Sequence, residues 1–502
     1  MIKRQQALIA TMLALSLNTS VQANDDFEVL DIFIQNTREA LNLSYGTVYA
    51  IVKDGKIIHM NSYGYEDVKD QKKATTDTVF YIASTTKPIF AQAALLLEQD
   101  GKISADTSMS EMFPKLTFEK FNADEVTLKH LMSHTSGIDN DALIYATAYS
   151  GQHDKPHRNY LISQSDPIEG KKLGDYQYTN AGYNIASQWY ENTFDQDWQE
   201  MLSNKLFKPL AMRHTSAYMS DVEKNGWTLA KPYAQLITDD PAQPLELEKQ
   251  DNTMHAAGGV ISTVPDLARY IIAQLEDGKV EGKQIIPAAV IRKSRDKLFT
   301  EVDDAGNPTN NGYTWGWMFE QRFGETLYSH QGGFTGMRSL FSFIPAKGIG
   351  IVVLSNDEFT GRRFAEAIED ISYNILLETG KAEEVANTAH ENITGYAHKI
   401  LGLIAQDKEQ RQGRIMELSL DKRAYAGTYS SPYFGELTID LQPSGTFKYT
   451  WGNMVAVATP YKKPDSMRLE LIPNRGWKSV FEINDQQQVT GLNLSGFEFT
   501  KD

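Results

Sequence analysis

The chain has 502 residues, with 65 acidic against 49 basic side chains and a formal net charge of −16. That balance argues against nucleic acid as a partner, because phosphate binding needs a basic face, and the length suggests two or three domains rather than one. With no cysteine, a disulfide framework, a lipid-modified cysteine and thiol catalysis are all ruled out.

The first residues read Met1-Ile2-Lys3-Arg4, followed by an apolar run over 7–17 and then Val21-Gln22-Ala23. A positive start, a short apolar core and small residues three apart predict a signal peptide over 1–23, cleaved after Ala23. The run is short for a stable membrane span. The expectation is export, most simply to a bacterial periplasm.

Residues 27–41 carry apolar side chains at helical spacing. Residues 46–52 and 56–63 read as strands joined at Asp54-Gly55, a hairpin signal. An apolar run, Val79-Phe80-Tyr81-Ile82-Ala83, leads into Ser84-Thr85-Thr86-Lys87. The helix pattern behind it, 88–99, is apolar on nearly all sides and belongs inside a domain. Asp100-Gly101 ends it.

Further on, 126–132 reads as a short helix and Ser133-His134-Thr135-Ser136-Gly137 as a structural turn. Residues 139–157 read as a polar loop over a cleft. Tyr176-Gln177-Tyr178-Thr179-Asn180 precedes an apolar helix. Ala256-Ala257-Gly258-Gly259-Val260 is a tight turn before a helix that starts at Ser262-Thr263-Val264-Pro265-Asp266 and runs to about Leu275. Residues 313–319 read as an aromatic strand. Runs over 327–330, 339–344 and 349–354 then read as three more, and 363–377 as a helix packing back. Strands open and close this unit and helices fill its middle. That predicts an α+β fold, an antiparallel sheet built from both chain ends, over 24–380. Residues 381–412 read as a charged helical linker. Short alternating runs such as Glu436-Leu437-Thr438-Ile439 make 413–502 a small all-β domain, barrel or sandwich.

Ser-x-x-Lys at a helix start puts a hydroxyl and an amine on one face, one turn apart. A nucleophilic serine needs that geometry if an amine is to take its proton. Three such pairs occur: Ser84-Lys87, Ser294-Lys297 and Ser419-Lys422. Ser294 lies in a solvated charged run and Ser419 at the approach to the β domain. Only Ser84 heads a buried helix, where the dipole favours an alkoxide and burial lowers a lysine pKa. Tyr178-Thr179-Asn180 is a second candidate: a tyrosine beside a cationic lysine can serve as base, and Asn180 can bind a substrate amide while touching the lysine. Tyr190-Glu191-Asn192 is its decoy. His330-Gln331-Gly332-Gly333, at a strand end, is the third. Its glycines let a substrate lie along the strand edge, and the Gly333 amide could join that of Ser84 as an oxyanion hole. His153 and His157, four apart with Pro156 between them, do not make a metal site.

Ser-x-x-Lys, Tyr-x-Asn and a strand-end His-x-Gly in this order resemble the serine β-lactamase and penicillin-binding-protein superfamily. The nearest likeness is to the class C β-lactamase-like serine hydrolases. Tyr81-Ile82-Ala83-Ser84-Thr85-Thr86-Lys87, Leu131-Met132-Ser133-His134-Thr135-Ser136-Gly137, Ala257-Gly258-Gly259 and His330-Gln331-Gly332-Gly333-Phe334-Thr335-Gly336 carry it, over about 26–380. The segment from Tyr425-Ala426-Gly427-Thr428-Tyr429 resembles the lipocalin-like β domain appended to some of these hydrolases. The resemblance implies a β-lactamase/transpeptidase-like fold and an acyl-enzyme on Ser84, with Lys87 and Tyr178 shuttling its proton. Asn180, His330, Gly332 and Gly333 would bind substrate, and the amides of Ser84 and Gly333 would form the oxyanion hole. No cofactor or metal is implied. The partner would be a small-molecule or peptide substrate. His330 stands where many members have the lysine of a Lys-Thr-Gly, and this chain has no Lys-Thr-Gly. An imidazole in place of a fixed cation favours a D-aminopeptidase, another peptidase or an esterase over a β-lactamase or D,D-carboxypeptidase. A non-catalytic β-lactam- or peptide-binding sensor on the same fold is the alternative of another class.

Overall fold

The computed structural model describes residues 27–303 and 307–502. The expected signal peptide lies outside the described residues. Strands β1 (Thr47–Lys53) and β2 (Lys56–Tyr63) form the expected hairpin, turning at Asp54 and Gly55 with φ of 50° and 71°. Positive φ at both turn residues matches the twist of the strands they join. The remaining strands of this sheet come from the other end of the unit: β3 (Phe299–Val302), β4 (Pro308–Tyr313), β5 (Met318–Arg322), β6 (Glu325–Phe334), β7 (Met337–Ile344) and β8 (Ile349–Ser355). The order across the sheet is β3-β4-β5-β6-β7-β8-β1-β2. Antiparallel pairing of β1 with β8, Thr47 opposite Ser355 and Lys53 opposite Ile349, joins the two ends.

Alternation along β1 divides its side chains between two cores. Val48, Ala50 and Val52 pack in one cluster with Leu267, Tyr270 and Ile271 of a helix over Val264–Leu275. Tyr49 and Ile51 pack in the other with Leu30, Phe33 and Ile34 of α1 (Glu28–Ala40) and with a helix over Gly361–Leu376. Helices thus cover both faces, which is why β8 reads as an unbroken apolar run and is buried along its whole length. Each such Val, Ile or Leu contributes about 1.5–3 kcal/mol by leaving water. The helix behind Ser84, α2 (Thr86–Gln99), is buried nearly all round. It ends at Gly101, φ 69°, where the amides of Gly101 and Lys102 return to Glu98 O and Leu97 O, both at 2.9 Å.

Three expectations need correction. Residues 313–319 are not one strand. Gly316, φ 87°, turns the chain between β4 and β5 so that Trp315 and Trp317 can both be buried. Residues 139–157 are not an irregular loop: Asp141–Tyr145 is helical, Ala146–Ser150 continues as a π-turn, and a further helix runs over Lys155–Ser163. The run around Ser294 is not uniformly solvated either, because Ser294 is buried and donates to Ile291 O at 2.7 Å.

The charged helix Ala382–Arg411 lies against α1, burying Ala386, Ile393 and Ala397. Beyond it, residues 427–501 form a nine-stranded antiparallel sheet. Its strands Met454–Val457 and Ser466–Ile472 approach each other, so the sheet is a nearly closed barrel. The barrel is filled by its own side chains, among them Leu437, Tyr449, Leu469 and Leu492, leaving a void of about 20 Å³. It stands on the 139–157 segment. Tyr145 stacks on Trp451 at 5.7 Å with the rings 5° from parallel, and Gln152 exchanges two hydrogen bonds with the backbone of Glu436. Among the described residues no helix is long and apolar enough to cross a membrane.

Candidate active site

Ser84 sits in a single 3₁₀ turn, Ala83–Thr85, between a buried strand and the start of α2. Ala83 has φ 48°, a left-handed conformation that costs a non-glycine residue about 1 kcal/mol or more. Several contacts hold it there. Thr85 Oγ1 and Ser339 Oγ both donate to Ile82 O at 2.6 Å, and they lie 3.0 Å from each other. Ser339 is on β7, so the turn is pinned to the sheet. Gly332, on β6, is packed so closely against this turn that a Cβ would overlap Ile82 O and Ser339 Oγ and would sit 3.1 Å from Ser84 N. Only glycine lets the strand approach the Ser84 amide this closely. Gly333 follows it and is exposed to the cleft.

Lys87 lies one turn into the helix and is fully buried. Its Nζ is 3.1 Å from Ser84 Oγ, 2.7 Å from Asn180 Oδ1 and 2.7 Å from Ala257 O, and 4.8 Å from the centre of the Tyr178 ring. Among the described residues it has no carboxylate partner, and burial holds its amine well below the ordinary lysine range. Two of its three contacts are carbonyl oxygens, which only accept. In the neutral amine the two N–H bonds go to them, which leaves the lone pair facing Ser84 Oγ. This arrangement can receive the serine proton.

Asn180 caps the helix α3 (Ala181–Phe194) by position, yet its side chain turns to Lys87 instead of the helix amides. Tyr178 is within hydrogen-bonding reach of Ser84, and burial raises its phenol above the usual range. The resting side chain is therefore the phenol, so Tyr178 does not stand ready as an ionised base. Burial opposes the charged form of Lys87 and of Tyr178 alike, by the same exclusion of water.

His330 is not where the sequence reading puts it. Its imidazole is fully buried behind the cleft wall, with Nδ1 2.7 Å from Gln331 O and Nε2 3.3 Å from the Tyr313 hydroxyl. Burial first, and then Lys87, push its pKa down to about 3. Both nitrogens are occupied, so the ring presents no free group to substrate. Tyr313 continues to His134 Nε2 at 3.1 Å, and the Thr179 amide meets His134 Nδ1 at 3.4 Å. The two ends fix every proton. The Thr179 amide can only donate and Gln331 O can only accept. His134 therefore donates from Nε2 to Tyr313, Tyr313 donates to His330 Nε2, and His330 donates from Nδ1 to Gln331. This chain of one polarity ties the Tyr178-Thr179-Asn180 turn to the strand that carries Gly332 and Gly333. The hydroxyls of the 133–137 turn serve neighbouring backbone as expected, Ser133 donating to Lys129 O at 2.8 Å. Its histidine lies 4.4 Å, ring to ring, from Tyr178.

Ser84, Tyr178 and Gly333 line a cavity of about 640 Å³, inside the usual range for small-molecule sites. Its far wall was not foreseen: Leu471, Ile472 and Trp477 come from the barrel. The Ala257 carbonyl, Ser339 and Tyr313 were missed as well. The tight Ala257-Gly258-Gly259 turn is the one sequence signal that pointed toward any of them. The decoys stay apart. Tyr190-Glu191-Asn192 lies within α3, Ser419 donates to Asp465 at 2.6 Å, and His153 contacts Asn252 O at 2.8 Å. No group of residues suited to hold a metal ion occurs among the described residues.

A serine on a buried helix start with a buried lysine amine at its hydroxyl, in a sheet joined from both chain ends, defines a serine hydrolase of the penicillin-binding-protein type. The chain belongs to the Beta-lactamase family, whose model matches residues 35–373. Protein flp of Staphylococcus aureus is 26% identical over 340 residues, covering 66% of this chain and 64% of that protein, so the match spans less than two thirds of the relative. Among solved structures, the octameric penicillin-binding protein homologue from Pyrococcus abyssi superposes with a TM-score of 0.57 at 22% identity, over 94% of this chain and 99% of its own. The D-amino acid amidase from Ochrobactrum anthropi SV3, solved with L-phenylalanine amide, gives 0.56 at 19%, over 72% of this chain and all of its own. At these identities the structural likeness speaks to the fold.

Proposed function

We propose that this protein hydrolyses a small amide or ester through an acyl-enzyme on Ser84. The observation that carries the reading is the Lys87 amine, buried without a carboxylate and 3.1 Å from Ser84 Oγ, with carbonyls at its other two contacts. Ser84 Oγ bonds to the substrate carbonyl carbon as its proton passes to Lys87. The amides of Ser84 and Gly333 hold the oxyanion. Tyr178 gives its proton to the departing nitrogen or oxygen and is reprotonated from Lys87. Water then attacks the ester carbon by the reverse route, releasing the acid and restoring the Ser84 hydroxyl. Asn180 holds the lysine and lies at the cleft for the substrate amide.

A neutral, enclosed His330 supplies no fixed cation at the position of the Lys-Thr-Gly lysine. This favours an amidase, peptidase or esterase over a β-lactamase or D,D-carboxypeptidase. We further infer that the protein is exported by the leader over residues 1–23. Fusing that leader to a reporter enzyme and finding the reporter retained in the cytoplasm would dismiss this.

The test is a panel of esters and of D- and L-amino-acid amides, run beside labelling with a small fluorophosphonate. Turnover and labelling in the wild type, both lost in Ser84→Ala, are the expected result. Labelling that survives in Ser84→Ala would overturn the assignment, and labelling without turnover of any substrate would leave a binding protein.

A further inference from the structure

The barrel resembles a ligand-carrying module but has no room to be one. Its interior void of about 20 Å³ has room for about one water and for no larger ligand. Its rim is what meets the catalytic unit, since Leu471 and Trp477 line both that void and the cavity at Ser84. Strands Ser466–Ile472 and Arg475–Ile483 form a hairpin whose tip reaches the cavity at Ser84, and Leu471, Ile472 and Trp477 line that cavity opposite Tyr145, Tyr149 and Phe334.

The hairpin is anchored rather than free. Arg475 Nη1 bonds Glu358 Oε1 at 2.8 Å, and the buried Glu358 carboxylate also takes Arg338 Nη2 at 2.8 Å and the Gly336 amide at 3.0 Å. The barrel is thereby tied to the turn that follows Gly333. On the other side Asn474 donates to Ile237 O at 2.6 Å. Tyr145 meets Trp477 edge-on at 6.1 Å, so one aromatic wall runs from the catalytic unit into the barrel.

We propose that the barrel completes the substrate site, and that Trp477, Leu471 and Ile472 form with Tyr145 and Tyr149 a subsite for a bulky hydrocarbon group, aromatic or branched, next to the scissile bond. This rests on the acyl-enzyme reading above and adds the substrate class. The occupant is part of the substrate because Ser84, Gly333 and Trp477 line the same cavity. A ring laid against this wall loses water from the face it buries, while Arg338, Glu358 and Arg475, which also line the cavity, are paired with one another.

The experiment measures kcat/KM for two ester series. One varies the acyl group on p-nitrophenol (acetyl, butyryl, phenylacetyl); the other varies the alcohol on acetate (methanol, phenol, 2-naphthol). Rates are corrected for the leaving group's own reactivity. The wild type should favour the bulky member over the smallest by about tenfold or more in at least one series. In Trp477→Ala that ratio should fall to about threefold or less, and Trp477→Phe should retain most of it. If Trp477→Ala does not fold, Leu471→Ala and Ile472→Ala read the same ratio. No preference in either series of the wild type, or a preference untouched by these variants, overturns the proposal. Fluorophosphonate labelling of wild-type Ser84 separates the two failures. A protein that labels without selecting loses only the subsite, and one that does not label loses the acyl-enzyme reading itself.

Discussion

Replacing Tyr313 by phenylalanine removes one oxygen from the middle of the His134–Tyr313–His330 chain. All three residues are at most 1% exposed. The change leaves two buried groups without a partner: the Nε2 donor of His134, 3.1 Å from the lost oxygen, and the Nε2 acceptor of His330, 3.3 Å from it. Each costs about 1–3 kcal/mol, and the space of one oxygen is too small to admit a replacement water. A loss of roughly 2–6 kcal/mol follows, a large part of an ordinary domain's stability. Because the chain spans from the Thr179 amide to Gln331 O, its loss should also loosen Tyr178 and Asn180 against Gly333. Urea unfolding, with the catalytic unit followed by fluorophosphonate reactivity of Ser84, reads both effects: a lower midpoint and a labelling rate reduced about tenfold or more. A variant within about 0.5 kcal/mol of wild type that labels at the wild-type rate would show that the two segments hold their places without the chain. Acid supplies a parallel test. The folded pKa of His330, about 3 against an ordinary 6.5, means that the unfolded chain binds its proton first. The stability this neutral ring contributes is whole above about pH 6.5 and is lost as pH falls toward 3.

Lys87→Arg should be inactive at every pH, since a guanidinium cannot become a base. The wild-type kcat/KM should rise with pH through a pKa well below that of free lysine and show no fall in ordinary alkali, because burial has moved Tyr178 upward; a profile that rises only near pH 10.5 would refute the buried amine as base. Gly332→Ala forces β6 off the Ser84 turn, where a Cβ would overlap Ile82 O and Ser339 Oγ, and the labelling rate should drop by about 10²-fold as the oxyanion donors separate. Equal labelling would place the hole elsewhere. Glu358→Gln leaves Arg338 and Arg475 without their shared carboxylate. It should cost about 3 kcal/mol and lower the thermal midpoint, and an unchanged melting curve would show that the latch is idle.

The sheet was legible because its physics is local. Each strand carries its own alternation or apolar run, and Asp54-Gly55 has the residues its turn requires. Ser84 was legible because an all-round apolar helix must be buried, and burial is what makes the adjacent amine a base. The direction a side chain faces was harder to read. His330 lies within β6, which runs on to Phe334 where the sequence suggested a strand end, and nothing in that text tells whether its ring looks into the cleft or back toward Tyr313, which lies on a different strand. Residues 139–157 look like a loop because they are polar and hold several aromatics, yet those aromatics carry the barrel. Asp154 with Pro156 was the available sign of a helix start: the Asp154 side chain accepts from the His157 amide at 2.7 Å. The part Trp477 plays in the cavity was beyond any such reading, since it depends on how two separately folded units meet.

What unites the site is the avoidance of resting charge. Lys87 and His330 are driven down and Tyr178 is driven up, in each case with burial as the first cause. His134, likewise lowered by burial, joins them through Tyr313. Around Ser84 burial therefore opposes the charged form of Lys87, Tyr178, His330 and His134 alike. A fixed cation there would attract anions to the resting enzyme and would keep the serine proton from leaving. In the neutral pocket the first charge to form is the oxyanion of the proposed reaction, and the proton that Lys87 receives appears with it. Both charges arise where the backbone has already been fixed by Gly332, Ser339 and the His134–Tyr313–His330 chain, so little rearrangement is required as they form. Arg338, Glu358 and Arg475 line the same cavity as Ser84 but neutralise one another at the hairpin latch, so the charge nearest the cleft is balanced and lies beside the apolar wall of Trp477.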